Sequence, residues 1–247
     1  MSRNLKPRPD NNLTERYRSQ LNLVGSETFR NMEENIGKNL IITDNVIPKS
    51  VCEDLLENVY SQSNSKWSPN IGYGNDDDWP VDEWGYTLVK PTTDKWVESG
   101  QTNRIKKIWK IFQNYMKEDF DIKSLQLNGS HINATTFGQE SQIHRDSYDG
   151  TEAFVIIFIN NDMNAYDGGE LQTYISLEPD INKNKDNHKS EILHSISPIQ
   201  GRIAIADSRV LHRGLAPTRF YSKARITVVF KFKFADYNQD MKKLDWK

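Results

Sequence analysis

The chain has 247 residues, of which 36% are hydrophobic and 27% are charged, and its formal net charge is -2. The near balance of 32 basic and 34 acidic residues argues against a dominant nucleic-acid footprint, which needs a clustered basic excess. The single cysteine, Cys52, excludes an intramolecular disulfide and fits a reducing compartment.

The N-terminal segment, residues 1–37, is predicted to be a polar leader that precedes a single domain spanning residues 38–247. Its first residues contain no apolar core and therefore do not resemble a signal peptide. No run approaches the ~18 to 20 apolar residues of a membrane span. We therefore expect a cytoplasmic protein without a membrane partner; the sequence leaves its oligomeric state open.

The first half of the domain is predicted to contain a strand, two helices and a long loop. Residues 40–42 form the strand, and Pro48 then stands at a favourable helix start. Apolar residues recur at helical spacing in both helices. They are Val51, Leu55, Leu56 and Val59 in the first helix, and Ile105, Ile108, Trp109, Phe112 and Met116 in the second.

Residues 68–86 follow neither the helical nor the strand period, which predicts a long loop. Long loops on compact domains are often functional. The aromatic and acidic residues of this loop suggest a lid over a basic, amine-bearing or peptide substrate, although a solvated acidic loop is the commoner alternative. These residues are Tyr73, Asp76, Asp77, Asp78, Trp79, Asp82, Glu83, Trp84 and Tyr86.

Residues 122–234 are predicted to be the β-rich core. Asn128 and Gly129 predict a hairpin turn, and the apolar run 154–159 predicts a strand buried on both faces. Residues 180–191 are polar and predict a solvated insertion. The last strand alternates, with one apolar face formed by Ile226, Val228, Phe230, Phe232 and Phe234. This pattern predicts a mainly β fold with flanking helices, namely a β-sandwich or jelly roll with helices packed on one sheet.

The pattern His144-Arg145-Asp146, followed 66 residues after Asp146 by His212, suggests a metal site. Residues two apart on a strand project from the same face, so His144 and Asp146 could bind one ion. Two imidazoles and one carboxylate form the facial triad of non-haem Fe(II) sites. His-x-Asp alone occurs often by chance. The alternatives are a surface turn at residues 144–146 and a structural histidine at position 212. Three other histidines are poorer ligands: His131, His188 and His194.

Arg225 lies 13 residues after His212 and shares a strand face with Thr227. A guanidinium there could bind a carboxylate through two parallel hydrogen bonds. An exposed basic residue is the alternative interpretation. Lys223 is a rival anchor, and Arg219 a weaker one. The later residues on this face, Lys231 and Lys233, are expected to extend toward solvent.

Taken together, these residues resemble the 2-oxoglutarate- and Fe(II)-dependent dioxygenase superfamily and, within it, the prolyl-4-hydroxylase-like branch. The matching stretch runs from about residue 39 to residue 234. It includes Phe-Gly-Gln at 137–139 before His-x-Asp, Gly-Gly-Glu-Leu at 168–171, the stretch 201–209 before His212, and Arg225-Ile-Thr.

The resemblance implies a double-stranded β-helix in which His144, Asp146 and His212 bind Fe(II). Arg225, assisted by Thr227, would hold 2-oxoglutarate. It also implies O2 as co-substrate, ascorbate as a reductant, and hydroxylation of a C–H bond with release of succinate and CO2. The expected substrate is a peptidyl, prolyl-like residue or a free amino acid.

Phe137 departs from the family pattern, because many relatives place a co-substrate-binding Tyr on the strand before His-x-Asp. Asn133 or Thr135 is expected to supply that hydrogen bond instead. Halogenating relatives replace the metal-binding carboxylate with a small residue, so Asp146 favours hydroxylation. Three alternatives remain: a dioxygenase of this fold that acts on an unrelated small molecule, a non-catalytic jelly-roll binding module, and a cupin-like metalloprotein without 2-oxoglutarate.

Overall fold

The computed structural model describes residues 26–61, 68–71, 81–89, 95–96, 100–139, 141–148, 150–177 and 190–244. The elements in chain order are α1 (Ser26–Gly37), β1 (Leu40–Thr43), α2 (Lys49–Ser61), β2 (Ser68–Ile71), β3 (Val81–Val89), α3 (Thr102–Phe120), β4 (Leu125–Thr135), β5 (Glu152–Phe158), β6 (Leu171–Ser176), β7 (Ser190–Ile196), β8 (Ile203–Asp207), β9 (Leu211–Gly214), β10 (Arg225–Phe234) and α4 (Tyr237–Lys243). No helix in these ranges is long and apolar enough to cross a membrane.

The strands form two antiparallel sheets. The major sheet has the order β1-β8-β5-β10-β4-β3-β2, and the minor sheet has the order β7-β6-β9. β10 lies at the centre of the major sheet, where it pairs with β4 on one side and β5 on the other. Successive residues of a strand point to opposite faces of the sheet, so the side chains of β10 alternate between the outer and the inner surface.

The outer surface of the major sheet is covered by α2 and α3. The apolar residues of both predicted helices are buried in one core cluster with the even-numbered residues of β10. Trp109 of α3 lies 5.0 Å from Phe230 and 6.0 Å from Phe232 between ring centroids. The prediction of a mainly β fold with helices packed on one sheet is therefore confirmed.

A second core cluster lies on the inner surface of the major sheet, toward the minor sheet. Phe154 and Phe158 of β5 belong to it, whereas Val155 and Ile157 belong to the outer cluster. This division confirms that the apolar run at 154–159 forms a strand buried on both faces. Ile36 of α1 also belongs to the inner cluster. The predicted leader boundary therefore differs from the structure, since residues 26–37 are a helix packed on the domain.

The predicted hairpin turn at Asn128 and Gly129 is wrong. β4 continues through both residues, and its register against β10 shifts where Gly129 pairs with Lys231 and Leu127 with Phe232. Asn128 is therefore the extra residue of a β-bulge, and its Nδ2 donates to Glu152 Oε1 at 3.0 Å. A type I′ turn requires positive φ at both central residues, and neither residue has it. The continuous ladder with β10 overrides the local turn signal.

The predicted loop at residues 68–86 contains two strands that the sequence period did not reveal. β2 and β3 pair with each other, and β3 also pairs with β4. Because β2 is an edge strand of the major sheet, it tolerates Pro69. Residues 72–80, which carry the Asp76–Asp78 run of the hypothesised lid, lie outside the described residues. The same holds for residues 180–189 of the predicted insertion, whereas residues 190–191 begin β7.

Candidate metal centre and co-substrate pocket

His144, Asp146 and His212 lie together between the two sheets. Their ligand atoms all lie within 4.8 Å of one another, although they come from distant parts of the sequence. A short antiparallel bridge produces this convergence: His144 N donates to His212 O at 3.0 Å, and His212 N donates to His144 O at 2.9 Å. Asp146 N donates to Ser208 O at 3.0 Å, which holds the other end of the segment.

The backbone selects the same imidazole tautomer at both histidines. His144 Nδ1 donates to Gln142 O at 2.8 Å, and His212 Nδ1 donates to Val210 O at 2.9 Å. Because a carbonyl oxygen only accepts, the proton of each neutral ring lies on Nδ1 and the Nε2 lone pair is left for a ligand. Nε2 of His144 lies 3.6 Å from Asp146 Oδ1.

The charges of the cluster also favour a cation. Burial acts to raise the pKa of the Asp146 carboxyl, but the Lys231 ammonium and the neighbouring imidazoles hold that pKa well below its ordinary value. Burial and the nearby His144 lower the pKa of His212 to about 4. Burial acts to lower the pKa of His144, but the Asp146 carboxylate raises it. The cluster therefore holds an ionised carboxylate and a neutral His212 imidazole, which are the forms of these groups that bind a metal ion.

The donor set fits Fe(II). Two imidazole nitrogens and one carboxylate oxygen form a facial set that leaves other coordination positions open. The Nδ1 hydrogen bonds also hold each imidazole ring in a fixed orientation, as the hydrogen-bond partners of metal-binding histidines commonly do. His131 does not belong to the cluster, and burial together with Lys231 lowers the pKa of its imidazole to about 4.

Arg225 begins β10, and only 4% of its surface is exposed. Its Nη2 donates to Thr135 Oγ1 at 3.0 Å, and its Nη1 donates to Gly169 O at 3.4 Å. Two glycines leave space for this side chain. A Cβ on Gly214 would lie 2.9 Å from Arg225 Nη2, and a Cβ on Gly169 would lie 2.9 Å from Arg225 Cδ.

The polar residues predicted around the co-substrate line the same face of the major sheet. Asn133 pairs with Thr227, Thr135 pairs with Arg225, and all four residues are buried. The buried Asn133 Oδ1 accepts no hydrogen bond from the residues that the structure describes. Phe137, in contrast, is 64% exposed and lies beyond the end of β4. Asn133 and Thr135 are therefore buried beside Arg225 and Thr227, whereas Phe137 is not.

The structure distinguishes the three candidate anchors. Lys223 is exposed and pairs with Asp162, and Arg219 is exposed beside the ring of Phe220. Only Arg225 of these three is buried in the pocket wall. Charge type and alternation do not separate Arg225 from Lys223, because residues 223, 225 and 227 have the same parity. The start of β10 does separate them, because Lys223 lies before the strand.

Lys231 is a residue whose position the sequence analysis predicted wrongly. Its Nζ lies 2.6 Å from Asp146 Oδ1 instead of extending into solvent. The alternation of β10 could have indicated this contact, because Lys231 is on the same face as Arg225 and Thr227. Lys233, the next residue on that face, pairs with Glu152 at 3.1 Å and its side chain is 40% exposed.

No protein-family description and no curated protein matches the sequence, but solved structures do. A prolyl-4-hydroxylase from Pseudomonas putida matches with a TM-score of 0.51 and 12% identity, over 86% of this chain and 100% of that one. A prolyl hydroxylase from Trichoplax adhaerens, solved with a hypoxia inducible factor peptide fragment, matches with a TM-score of 0.53 and 14% identity, over 94% of each chain.

A non-haem alpha-ketoglutarate-dependent epimerase from nogalamycin biosynthesis matches with a TM-score of 0.54 and 11% identity, over 85% of this chain and 83% of that one. Identities of this size establish a shared fold. The chain therefore has the double-stranded β-helix, or jelly-roll, fold of the 2-oxoglutarate- and Fe(II)-dependent oxygenases.

Proposed function

We propose that this protein is an Fe(II)- and 2-oxoglutarate-dependent dioxygenase that hydroxylates an unactivated C–H bond. The observation that carries the proposal is the convergence of His144, Asp146 and His212 beside a buried arginine. A binding module of the same fold would need neither two imidazoles with free Nε2 atoms nor a guanidinium enclosed by glycines. A cupin-like metalloprotein would need the first feature but not the second.

In this proposal His144, Asp146 and His212 hold Fe(II), and Arg225 binds the distal carboxylate of 2-oxoglutarate. Gly214, which contacts the Arg225 guanidinium, lies two residues beyond His212 on β9. Two residues of a strand span roughly 7 Å. This spacing suits a five-carbon dicarboxylate that reaches from the metal to the guanidinium.

Thr227, Asn133 and Thr135 complete the co-substrate pocket in this proposal. Thr135 already accepts from Arg225 Nη2 and thereby orients the guanidinium. Asn133 Oδ1 accepts no hydrogen bond from the described part of the chain, although it is buried. A buried polar atom without a partner is costly, so a water molecule between the sheets would satisfy it.

When bound, iron would supply the oxidising chemistry: 2-oxoglutarate would be converted to succinate and CO2, with one oxygen atom of O2 entering succinate and the other entering the substrate C–H bond. The residues of the chain would bind the metal and the co-substrate, orient the substrate C–H bond and exclude water. Inner-cluster residues such as Phe154, whose ring centroid lies 4.4 Å from that of His212, keep one side of the centre apolar. Ascorbate would serve as a reductant that maintains the ferrous state.

The proposed substrate is a peptidyl, prolyl-like residue or a free amino acid. Two proteins with the same fold are prolyl hydroxylases, and one of them was solved with a peptide fragment. The second candidate is a dioxygenase that acts on an unrelated small molecule, which the fold shared with an epimerase of nogalamycin biosynthesis supports. The metal centre is the same in both proposals, and only the substrate differs.

Succinate formation tests the activity. The protein is incubated with Fe(II), 2-oxoglutarate, O2 and ascorbate, first without a substrate and then with proline-containing peptides, free amino acids and small organic molecules. We expect succinate release that a true substrate accelerates, and one hydroxyl oxygen per succinate in the product. The His144→Ala variant should form none.

His194→Ala is the matched control, because His194 bonds Thr173 in the minor sheet and is not part of the triad. This variant should keep wild-type turnover. Succinate formation that survives His144→Ala would contradict the proposed metal centre. If only small organic molecules, and no peptide or amino acid, accelerate succinate release, the second candidate function, a dioxygenase acting on an unrelated small molecule, would be favoured.

A further inference from the structure

Arg145 lies between two of the proposed metal ligands, but its guanidinium contacts other parts of the fold. Consecutive residues of an extended segment project to opposite sides. The side chain of Arg145 is 1% exposed, and it donates to the backbone oxygen of Arg209 and to the carboxylate of Glu33. The segment that carries His144 and Asp146 is therefore fastened on its far side by a buried ion pair.

Glu33 belongs to α1 and its side chain is also 1% exposed. Its Oε2 accepts a second bond from Ser176 N, at the end of β6, at 3.4 Å. α1 itself is held by Ile36 in the inner cluster and by the ion pair of Arg30 with Glu191 at 3.1 Å. One carboxylate thus joins α1, the minor sheet and the metal-binding segment.

A buried charge that loses its partner is strongly destabilising, because the remaining charge is desolvated without compensation. If residue 33 were neutral, its oxygen could still accept a hydrogen bond, but the buried Arg145 guanidinium would lose its compensating charge and would shift toward water. Any such movement is transmitted directly, because Arg145 is covalently attached to both His144 and Asp146. The backbone bonds to Ser208 and His212 and the Nδ1 bond of His144 would still hold the segment in place, so the expected displacement of its side chains is small.

We propose that Glu33 is a positioning residue for the metal centre and that α1 is part of the site. The inference rests on the proposed function, since it assumes that His144 and Asp146 bind a metal. Glu33 contacts neither the metal nor the co-substrate and acts through Arg145. Groups that hydrogen-bond directly to metal ligands commonly change metal affinity 10- to 100-fold when they are removed, and Glu33, which is one residue further from the metal, is expected to act at the lower end of that range.

The test compares Glu33→Gln with Glu34→Gln in the full-length protein. Glu34 is the neighbouring residue of α1, and its ion pair with Arg30 lies at the surface. Co(II) is the probe, because its visible absorption reports both its dissociation constant and its coordination geometry. Thermal unfolding of the metal-free proteins is measured in parallel, and the titrations are done well below each transition.

We expect Glu33→Gln to weaken Co(II) binding by about tenfold or more and to alter the visible spectrum. Glu34→Gln should match the wild type in both. An unchanged dissociation constant and spectrum in Glu33→Gln, with only a lower Tm, would make the ion pair a structural brace and overturn the inference. A wild type that binds no Co(II) would overturn the proposed metal centre as well, and the two failures are thus distinct.

A double variant covers the case in which Glu33→Gln does not fold. Glu33→Met with Arg145→Met removes both charges and leaves neither unpaired, a change that buried pairs often tolerate. We expect this protein to fold and still bind Co(II) several-fold more weakly than the wild type, because methionine side chains do not fix the direction of the segment. Wild-type affinity in the folded double variant would overturn the inference.

Discussion

The two faces of β10 are both largely buried but have different chemistry, and only Lys231 and Lys233, on the odd-numbered face, are partly exposed. The even-numbered residues from Ile226 to Phe234 pack against α2 and α3 in the outer cluster. The odd-numbered face begins with Arg225 and Thr227 in the pocket wall and continues to Lys231 beside Asp146. Burial alone therefore does not separate stability from function here. What separates them is whether a buried side chain is apolar or carries polar atoms that have specific partners.

This comparison predicts that substitutions on the even face change the free energy of unfolding, whereas substitutions on the odd face change ligand affinity. The variants of Phe230, Arg225 and Gly214 described below test this division. For each of them, urea unfolding and ligand titration are measured on the same preparation.

The largest effect is expected for Phe230→Ala on the even face. Phe230 is fully buried against Trp109, and truncation of a buried Phe costs about 3–5 kcal/mol of unfolding free energy. The folded fraction should keep its metal affinity. The control is Lys233→Ala on the odd face, where a partly exposed ion pair contributes at most about 1 kcal/mol. Equal losses of stability in the two variants would refute the division.

The next effect is expected for Arg225→Lys on the odd face. A lysine keeps the charge but not the two parallel donors, and hydrogen bonds to charged groups contribute about 1.5–3 kcal/mol. The KM for 2-oxoglutarate should therefore rise roughly 10- to 100-fold. Lys223→Ala, which removes the exposed rival anchor, should leave that KM unchanged. A rise in this KM only in the Lys223 variant would show that Lys223, and not Arg225, binds the 2-oxoglutarate carboxylate.

A smaller effect is expected for Gly214→Ala. The added Cβ would lie 2.9 Å from Arg225 Nη2, so the end of a flexible side chain has to move. Displacement of this kind costs about 1 kcal/mol, at the low end of overpacking effects, and should raise the KM for 2-oxoglutarate several-fold. Gly150→Ala is the control, because its Cβ would meet Arg209 and not Arg225. An unchanged KM in Gly214→Ala would place the co-substrate elsewhere.

The smallest effect concerns Cys52, which is fully buried on the helical side of the major sheet. Burial raises the pKa of this thiol to about 11, so the reactive thiolate is scarce at pH 8. A maleimide reagent should not modify the native protein at pH 8 within minutes but should modify it fully in urea. Rapid modification under native conditions would show that α2 does not pack as described.

The sequence predicted the features that repeat with a clear period. The apolar positions of α2, α3 and β10 followed the 3.6- and 2-residue periods, so those elements and their buried faces could be identified. The clustering of His144, Asp146 and His212 could be anticipated because each residue follows or precedes a recognisable strand. The strands β2 and β3 could not be identified, because Pro69 and the surrounding Gly and Asp residues obscure their period.

Features that depend on tertiary contacts were missed. Asn128-Gly129 carries a local turn signal that only the ladder with β10 overrides. The ion pair of Arg145 with Glu33 joins residues 112 apart in the sequence, and nothing in either local pattern indicates it. The contact of Lys231 with Asp146 was missed for another reason: the strand alternation placed Lys231 on the same face as Arg225, but this end of the face was expected to extend toward solvent.

The most direct test of the central claim is an anaerobic titration of the metal-free protein with Fe(II) and then 2-oxoglutarate, followed by visible absorption. We expect a weak charge-transfer band that requires both additions and saturates at one equivalent of each. The band should be absent in His212→Ala and should require more 2-oxoglutarate in Arg225→Lys. A wild-type protein that binds neither Fe(II) nor 2-oxoglutarate, or a band that persists in His212→Ala, would contradict the account.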